Sequence, residues 1–136
     1  MKYPTLLLLA LTFTFTSNSA VAQEADPQPG MVVFHQNIVD LADVPKLNAI
    51  QDSLITPILN ELVDEGILMG WGQLMHSWGD EWNYNFYFTV ENHRAFLDFW
   101  SEYIRRVGER DPGWFAKIAP LIRAHKDNMY SIRTMR

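Results

Sequence analysis

The chain has 136 residues, 48% of them apolar and 20% charged, with a formal net charge of −5. It contains no cysteine, which excludes disulfide frameworks, thiolate-held metals and thiol catalysis. The apolar content excludes a disordered chain, and an acidic balance without a basic block speaks against nucleic acid or an anionic membrane as partner.

Residues 1–22 read as a secretory signal peptide. Lys2 gives the positive end, residues 5–16 form an apolar run, and Ala20-Val21-Ala22 is an A-x-A cleavage site. Removing Lys2 with this segment makes the remainder one charge more acidic. Residues 23–30, with two prolines and no apolar periodicity, form a flexible leader. Residues 31–136 then make one domain, large enough to fold on its core alone. No second apolar run is long enough to span a bilayer, so the expected location is periplasmic or extracellular, without membrane association after cleavage.

Residues 31–39 are β-branched and apolar and predict a strand. Asp43 is the expected N-cap of a helix, with Pro45 in its first turn. Leu47, Ile50, Leu54, Ile58 and Leu62 recur on one helical face. Pro57 interrupts that stripe and predicts a kink, and Gly66 predicts the helix stop. Residues 67–78 and 82–90 read as two strands joined by a short hairpin loop. Facing Trp78 with Trp82 pairs His76 with Tyr84, Leu74 with Phe86, Gly72 with Phe88 and Gly70 with Val90. That register puts Leu74, Phe86, Phe88 and Val90 on one face. Trp71, Gln73 and Met75 then share the other with Asn83, Asn85 and Tyr87.

Asn92 is the expected cap of a second helix whose stripe is Phe96, Phe99, Trp100, Tyr103 and Val107. Arg105, Arg106 and Arg110 fall at its end, where positive charge complements the helix dipole. A short helical segment starts near Asp111-Pro112. His125, Lys126 and Asp127 read as a polar loop, and residues 128–134 as the last strand.

The order βαββαβ is the split-βαβ, ferredoxin-like arrangement: a four-stranded antiparallel sheet with both long helices on one face. The opposite face, expected to carry Trp71, Met75 and Tyr87, needs a cover, and a second copy of the chain supplies one. On this element order, the Glu61–Gly66 helix end, the Trp71-Gly72 strand and the Ser77-Trp78-Gly79-Asp80-Glu81-Trp82 hairpin, the chain resembles the dimeric α+β barrel superfamily. That resemblance implies a homodimer and a lumen between two sheets. It also brings relatives that include cofactor-free oxygenases, lactone isomerases and haem-handling enzymes.

No cofactor and no metal are expected. No two of the four histidines, His35, His76, His93 and His125, have the i, i+4 spacing of a helical metal pair. His35 is the candidate acid–base residue: it alternates onto the face of Val33 and Asn37 within an apolar strand. The alternative for it is a core histidine satisfied by a neighbour. With no Asp or Glu expected on that face, a neutral imidazole is the expectation. The candidate ligand-binding residues are Asn37, Trp71, Gln73, Asn85 and Tyr87, expected with His35 to face the lumen between the two sheets, a mixed lining suited to a small, partly aromatic molecule. Three functions stay open: a ligand-binding dimer, a cofactor-independent monooxygenase or isomerase acting on a small cyclic or aromatic substrate, and a purely structural dimer.

Overall fold

The computed structural model describes residues 28–76, 78–79 and 81–134. The expected signal peptide, most of the leader, and Ser77 and Asp80 of the hairpin lie outside the described residues. The chain runs β1 (Met31–Val39), α1 (Val44–Ile50), a π turn (Gln51–Ile55), α2 (Thr56–Asp64), β2 (Gly70–Met75) and β3 (Tyr84–Val90). It continues through α3 (His93–Arg110), α4 (Trp114–Ile118), a 3₁₀ turn (Ala119–Leu121) and β4 (Ile122–Ser131). The sheet order is β2-β3-β1-β4, every pairing antiparallel. This is the expected ferredoxin-like α+β architecture. Among the described residues no helix is long and apolar enough to cross a membrane.

The helices follow local chemistry. Asn92 accepts a hydrogen bond from the Ala95 N–H at 3.0 Å and so caps α3. Asp43 occupies the N-cap position of α1 but makes no side-chain capping bond. Pro57 is accommodated by the π turn that precedes α2. A proline ring has no N–H for the carbonyl one turn back and collides with it. Widening the turn, so that the Thr56 N–H donates to the Gln51 carbonyl, relieves both problems while the apolar stripe continues. Gly66 ends α2 at φ 73°, the left-handed conformation that only glycine adopts freely.

The core lies between the sheet and the helices. Ile58, Leu59 and Leu62 from α2 and Phe99 and Val107 from α3 meet Val33, Tyr84, Phe88 and Val90 from the sheet, all essentially inaccessible. Each such side chain contributes about 1.5–3 kcal/mol by leaving water. The end of α3 is tied to α2 by charge. Arg106 donates to Glu65 at 2.6 and 2.8 Å and to Glu102 at 2.7 Å, and Arg110 donates to Glu61 at 3.0 Å. These arginines therefore clamp two helices together, beyond the dipole role expected of them.

Two expectations are corrected by the sheet. Gly70 pairs with Thr89, Gly72 with Tyr87 and Met75 with Tyr84, one residue away from the register expected through Trp78 and Trp82. A slip of one residue turns every side chain of the strand over. Trp71, Gln73 and Met75 thus lie on the helix side, and Leu74 lies on the open face. The winning register lets the Trp71 indole N–H donate to Asn60 of α2 at 3.0 Å and the Gln73 amide reach Asn48 of α1 at 3.5 Å. The second correction concerns β4. It begins at Ile122, so His125, Lys126 and Asp127 sit within a strand that pairs with β1 across its length.

Candidate functional site

Alternation along β1 sends Val33, His35, Asn37 and Val39 to one face, and Val33 and Val39 are core residues. His35 and Asn37 therefore point toward the helices rather than into a lumen between sheets. They open onto a cavity of about 480 Å³. Its floor is sheet: His35, Asn37, Tyr84, Phe86 and Phe88. Its walls are Leu47, Gln51, Ile55 and Leu59 from α1 through α2, Trp100, Tyr103 and Ile104 from α3, and Trp114, Phe115 and Ile118 from α4. The start of β4 closes one side with Ile122 and His125. The π turn contributes directly, since it places Gln51 and Ile55 on the wall.

The cavity is apolar along its length and polar at one end. At that end His35 Nδ1 lies 2.9 Å from Asp127 Oδ1, and His125 Nε2 lies 3.1 Å from Asp127 Oδ2. The two imidazoles are 4.2 Å apart, centre to centre. Asn37, 1% exposed, joins the group through its Oδ1, 3.0 Å from His125 Nδ1. Burial pulls the Asp127 carboxyl upward, but the two imidazoles against it outweigh that effect and hold it below the ordinary carboxylate range. The expectation that no acid faces His35 is thus overturned: register places Asp127 directly opposite it on β4. On β3, where Tyr84 pairs with Asn37, the Tyr84 hydroxyl donates to Asn48 at 3.0 Å, and burial raises its pKa to about 12.

The residues expected to act together are divided by the sheet. His35 and Asn37 share the cavity. Trp71 and Gln73 share its side of the sheet but bond to α2 and α1 outside the lining. Asn85 and Tyr87 lie on the opposite, open face, where Tyr87 stands 6.4 Å from Phe34 and Phe34 stands 5.9 Å from Tyr130. The close approach of Gly72 seats that aromatic group: a Cβ there would fall 2.4 Å from the Tyr87 ring. Sequence reasoning missed His125 and Asp127. The available signal was the His-x-Asp alternation, which puts both side chains on one face of a strand.

No protein-family model and no curated protein sequence matches the chain. Solved structures do resemble it. A dimeric ferredoxin-like protein from an uncultured marine organism matches with a TM-score of 0.66 at 7% identity, over 81% of this chain and 93% of that one. An uncharacterised NIPSNAP domain protein from Burkholderia xenovorans matches at 0.58 and 13% identity, over 78% and 97%. A putative antibiotic biosynthesis monooxygenase from Nitrosomonas europaea matches at 0.55 and 12% identity, over 76% and 99%. At these identities the likeness is one of fold, and the fold is the ferredoxin-like α+β fold.

Proposed function

We propose that the protein is an exported homodimer that binds a small, partly aromatic molecule in the cavity between its sheet and its helices. The cavity carries this reading. Its volume of about 480 Å³ falls within the range of small-molecule sites, roughly 300–1,000 Å³. Its aromatic walls suit a planar ring, and His35, Asn37 and His125 at one end suit a hydroxyl or carbonyl on that ring. The open face supports a second copy as partner, because Phe34, Tyr87 and Tyr130 form an aromatic patch there. Solved structures of this fold include proteins described as dimeric. Export rests on the Ala20-Val21-Ala22 signal. Mass spectrometry of the protein recovered outside the cytoplasm should find Gln23 at the N-terminus, and a retained Met1 would defeat that part.

Fluorescence tests the ligand. Trp100 and Trp114 line the cavity, so a panel of planar phenols and lactones should include a compound that quenches emission saturably. Ile118→Trp, which fills the space, should remove that binding, whereas Leu97→Ala on the exposed side of α3 should not. Absence of saturable quenching across the panel would sink the reading.

One observation favours a second function, a cofactor-independent monooxygenase or isomerase. With Nδ1 of His35 held by Asp127 at 2.9 Å, Nε2 is left to accept a proton from an acidic C–H or phenol in the cavity. His35→Ala should then abolish turnover of a bound compound while leaving its affinity within a few-fold.

A further inference from the structure

β1 and β4 bring three metal-ligating side chains to one point at the polar end of the cavity. Donor atoms of His35, His125 and Asp127 all lie within 4.8 Å of one another. Asn37 settles where the protons are. Its amide nitrogen donates to the Tyr84 carbonyl at 3.1 Å, so its oxygen is the atom that faces His125 Nδ1 at 3.0 Å. An amide oxygen only accepts, and His125 therefore carries a proton on Nδ1. In the neutral ring Nε2 then presents a lone pair to Asp127 Oδ2, 3.1 Å away. An ionised carboxylate has only lone pairs to present in return. Two acceptors at that distance repel unless a cation joins them, and the cation is either one more proton or a metal ion.

Several features fit a metal ion. Two imidazoles and one carboxylate form a ligand set that first-row divalent metals accept. A histidine ligand is normally oriented by an acceptor on its other ring nitrogen, which is what Asn37 supplies to His125. The three side chains come from two paired strands, so the backbone ladder fixes their spacing. They are 23%, 40% and 48% exposed, which gives an ion access from solvent. Three protein ligands leave coordination positions unfilled.

We propose that His35, His125 and Asp127 bind one divalent transition-metal ion of the zinc or ferrous class, with Asn37 as a positioning residue. His35 enters through Nδ1, its proton moving to Nε2, and the bonds from both imidazoles to Asp127 are exchanged for bonds to the ion. The site goes beyond the ligand-binding reading and does not rest on it. It competes with the general-base reading, because it breaks the His35–Asp127 bond and leaves the proton on Nε2, the atom that reading needs free.

Zn²⁺ titrated calorimetrically into the metal-stripped protein near neutral pH tests the site, with Co²⁺ as a visible-absorbance probe. The expected result is one ion per chain with a dissociation constant in the micromolar range or below, and a Co²⁺ band of the intensity typical of low coordination number. His125→Ala and Asp127→Ala should each abolish both signals, whereas His76→Ala and His93→Ala should leave them unchanged. Asn37→Leu should weaken binding by about 10-fold. Asn37→Asp keeps an acceptor for Nδ1 but sets its second oxygen against the Tyr84 carbonyl, so it should lower the melting temperature yet bind Zn²⁺ more tightly than Asn37→Leu. Melting curves identify variants that remain folded, and His125→Gln replaces His125→Ala should the latter unfold. No saturable Zn²⁺ binding, or equal affinity in a folded Asp127→Ala variant, overturns the proposal. So does nitrogen NMR that finds the His125 ring doubly protonated in excess Zn²⁺, which would identify the cation as a proton.

Discussion

Tyr84 shows how burial sets the chemistry of a single side chain. Its ring is in the core and its hydroxyl donates to Asn48, and burial raises its pKa from 10 to about 12. The fold thus favours the protonated phenol. Below pH 10 both folded and unfolded chains keep the proton, and the stabilisation is complete. Between 10 and about 12 the unfolded chain ionises first, so stability falls as pH rises. The difference corresponds to at most about 3 kcal/mol. Tyr84→Phe should flatten this alkaline loss and remove one late-titrating group from the tyrosinate absorbance curve. It should also cost about 1 kcal/mol at neutral pH through the lost hydrogen bond. An unchanged alkaline melting profile would contradict the assignment.

At the scale of elements, the α2–α3 clamp separates arginines that the sequence alone cannot rank. Arg105 pairs with Glu102 and Glu109 on its own helix and is half exposed, whereas Arg106 bridges to α2 with its side chain 18% exposed. Exposed pairs within a helix contribute little, while a partly buried bridge between elements contributes more. Arg106→Ala should lower the melting temperature by about 4–8 °C, the equivalent of about 1 kcal/mol in a domain this small. Arg105→Ala should change it by less than about 2 °C, well inside that response. Hydrogen bonds from Arg105 and then Arg106 hold the Glu102 carboxyl at about 2. A depressed carboxylate stabilises the fold above its ordinary value of 4.5, and that contribution drains away as pH falls toward 2. Acid melts of Arg106→Ala and the parent should therefore converge at low pH. A constant gap between them down to pH 2 would disprove the link.

For the whole molecule, the open face of the sheet is the remaining question of assembly. The register moves Trp71 and Met75 away from it and leaves Phe34, Tyr87 and Tyr130, with Leu74 42% exposed at the β2 edge. Light scattering should report twice the chain mass at micromolar concentration. Phe34→Glu should shift it toward the monomer, because a carboxylate would be buried at the interface without a partner. Met75→Ala should leave the dimer intact, since Met75 lies on the helix side. A dimer that survives Phe34→Glu would move the interface elsewhere.

What the chain reveals before it folds is set by which of its interactions are local. The helix stripes of Leu47–Leu62 and Phe96–Val107, the Gly66 stop, the Asn92 cap and the ferredoxin-like order are written in spacing and turn chemistry within a few residues, and so can be read from the chain before it folds. Strand parity along β1 was equally plain: His35 and Asn37 had to share a face. Which face that is emerges only on folding, because Val33 and Val39 look the same in sequence whether they meet helices or a second sheet. So does the β2–β3 register, where the indole of Trp71 finds Asn60 and one residue of slip inverts the strand. β4 carries a run of charged and polar side chains from His125 to Asn128, the composition of a protected edge strand as much as of a loop. Only pairing with β1 identifies it as a strand. His125 and Asp127 are neighbours on one strand, but His35 joins them only through that pairing, since 92 residues separate it from Asp127 and no local rule spans such a distance.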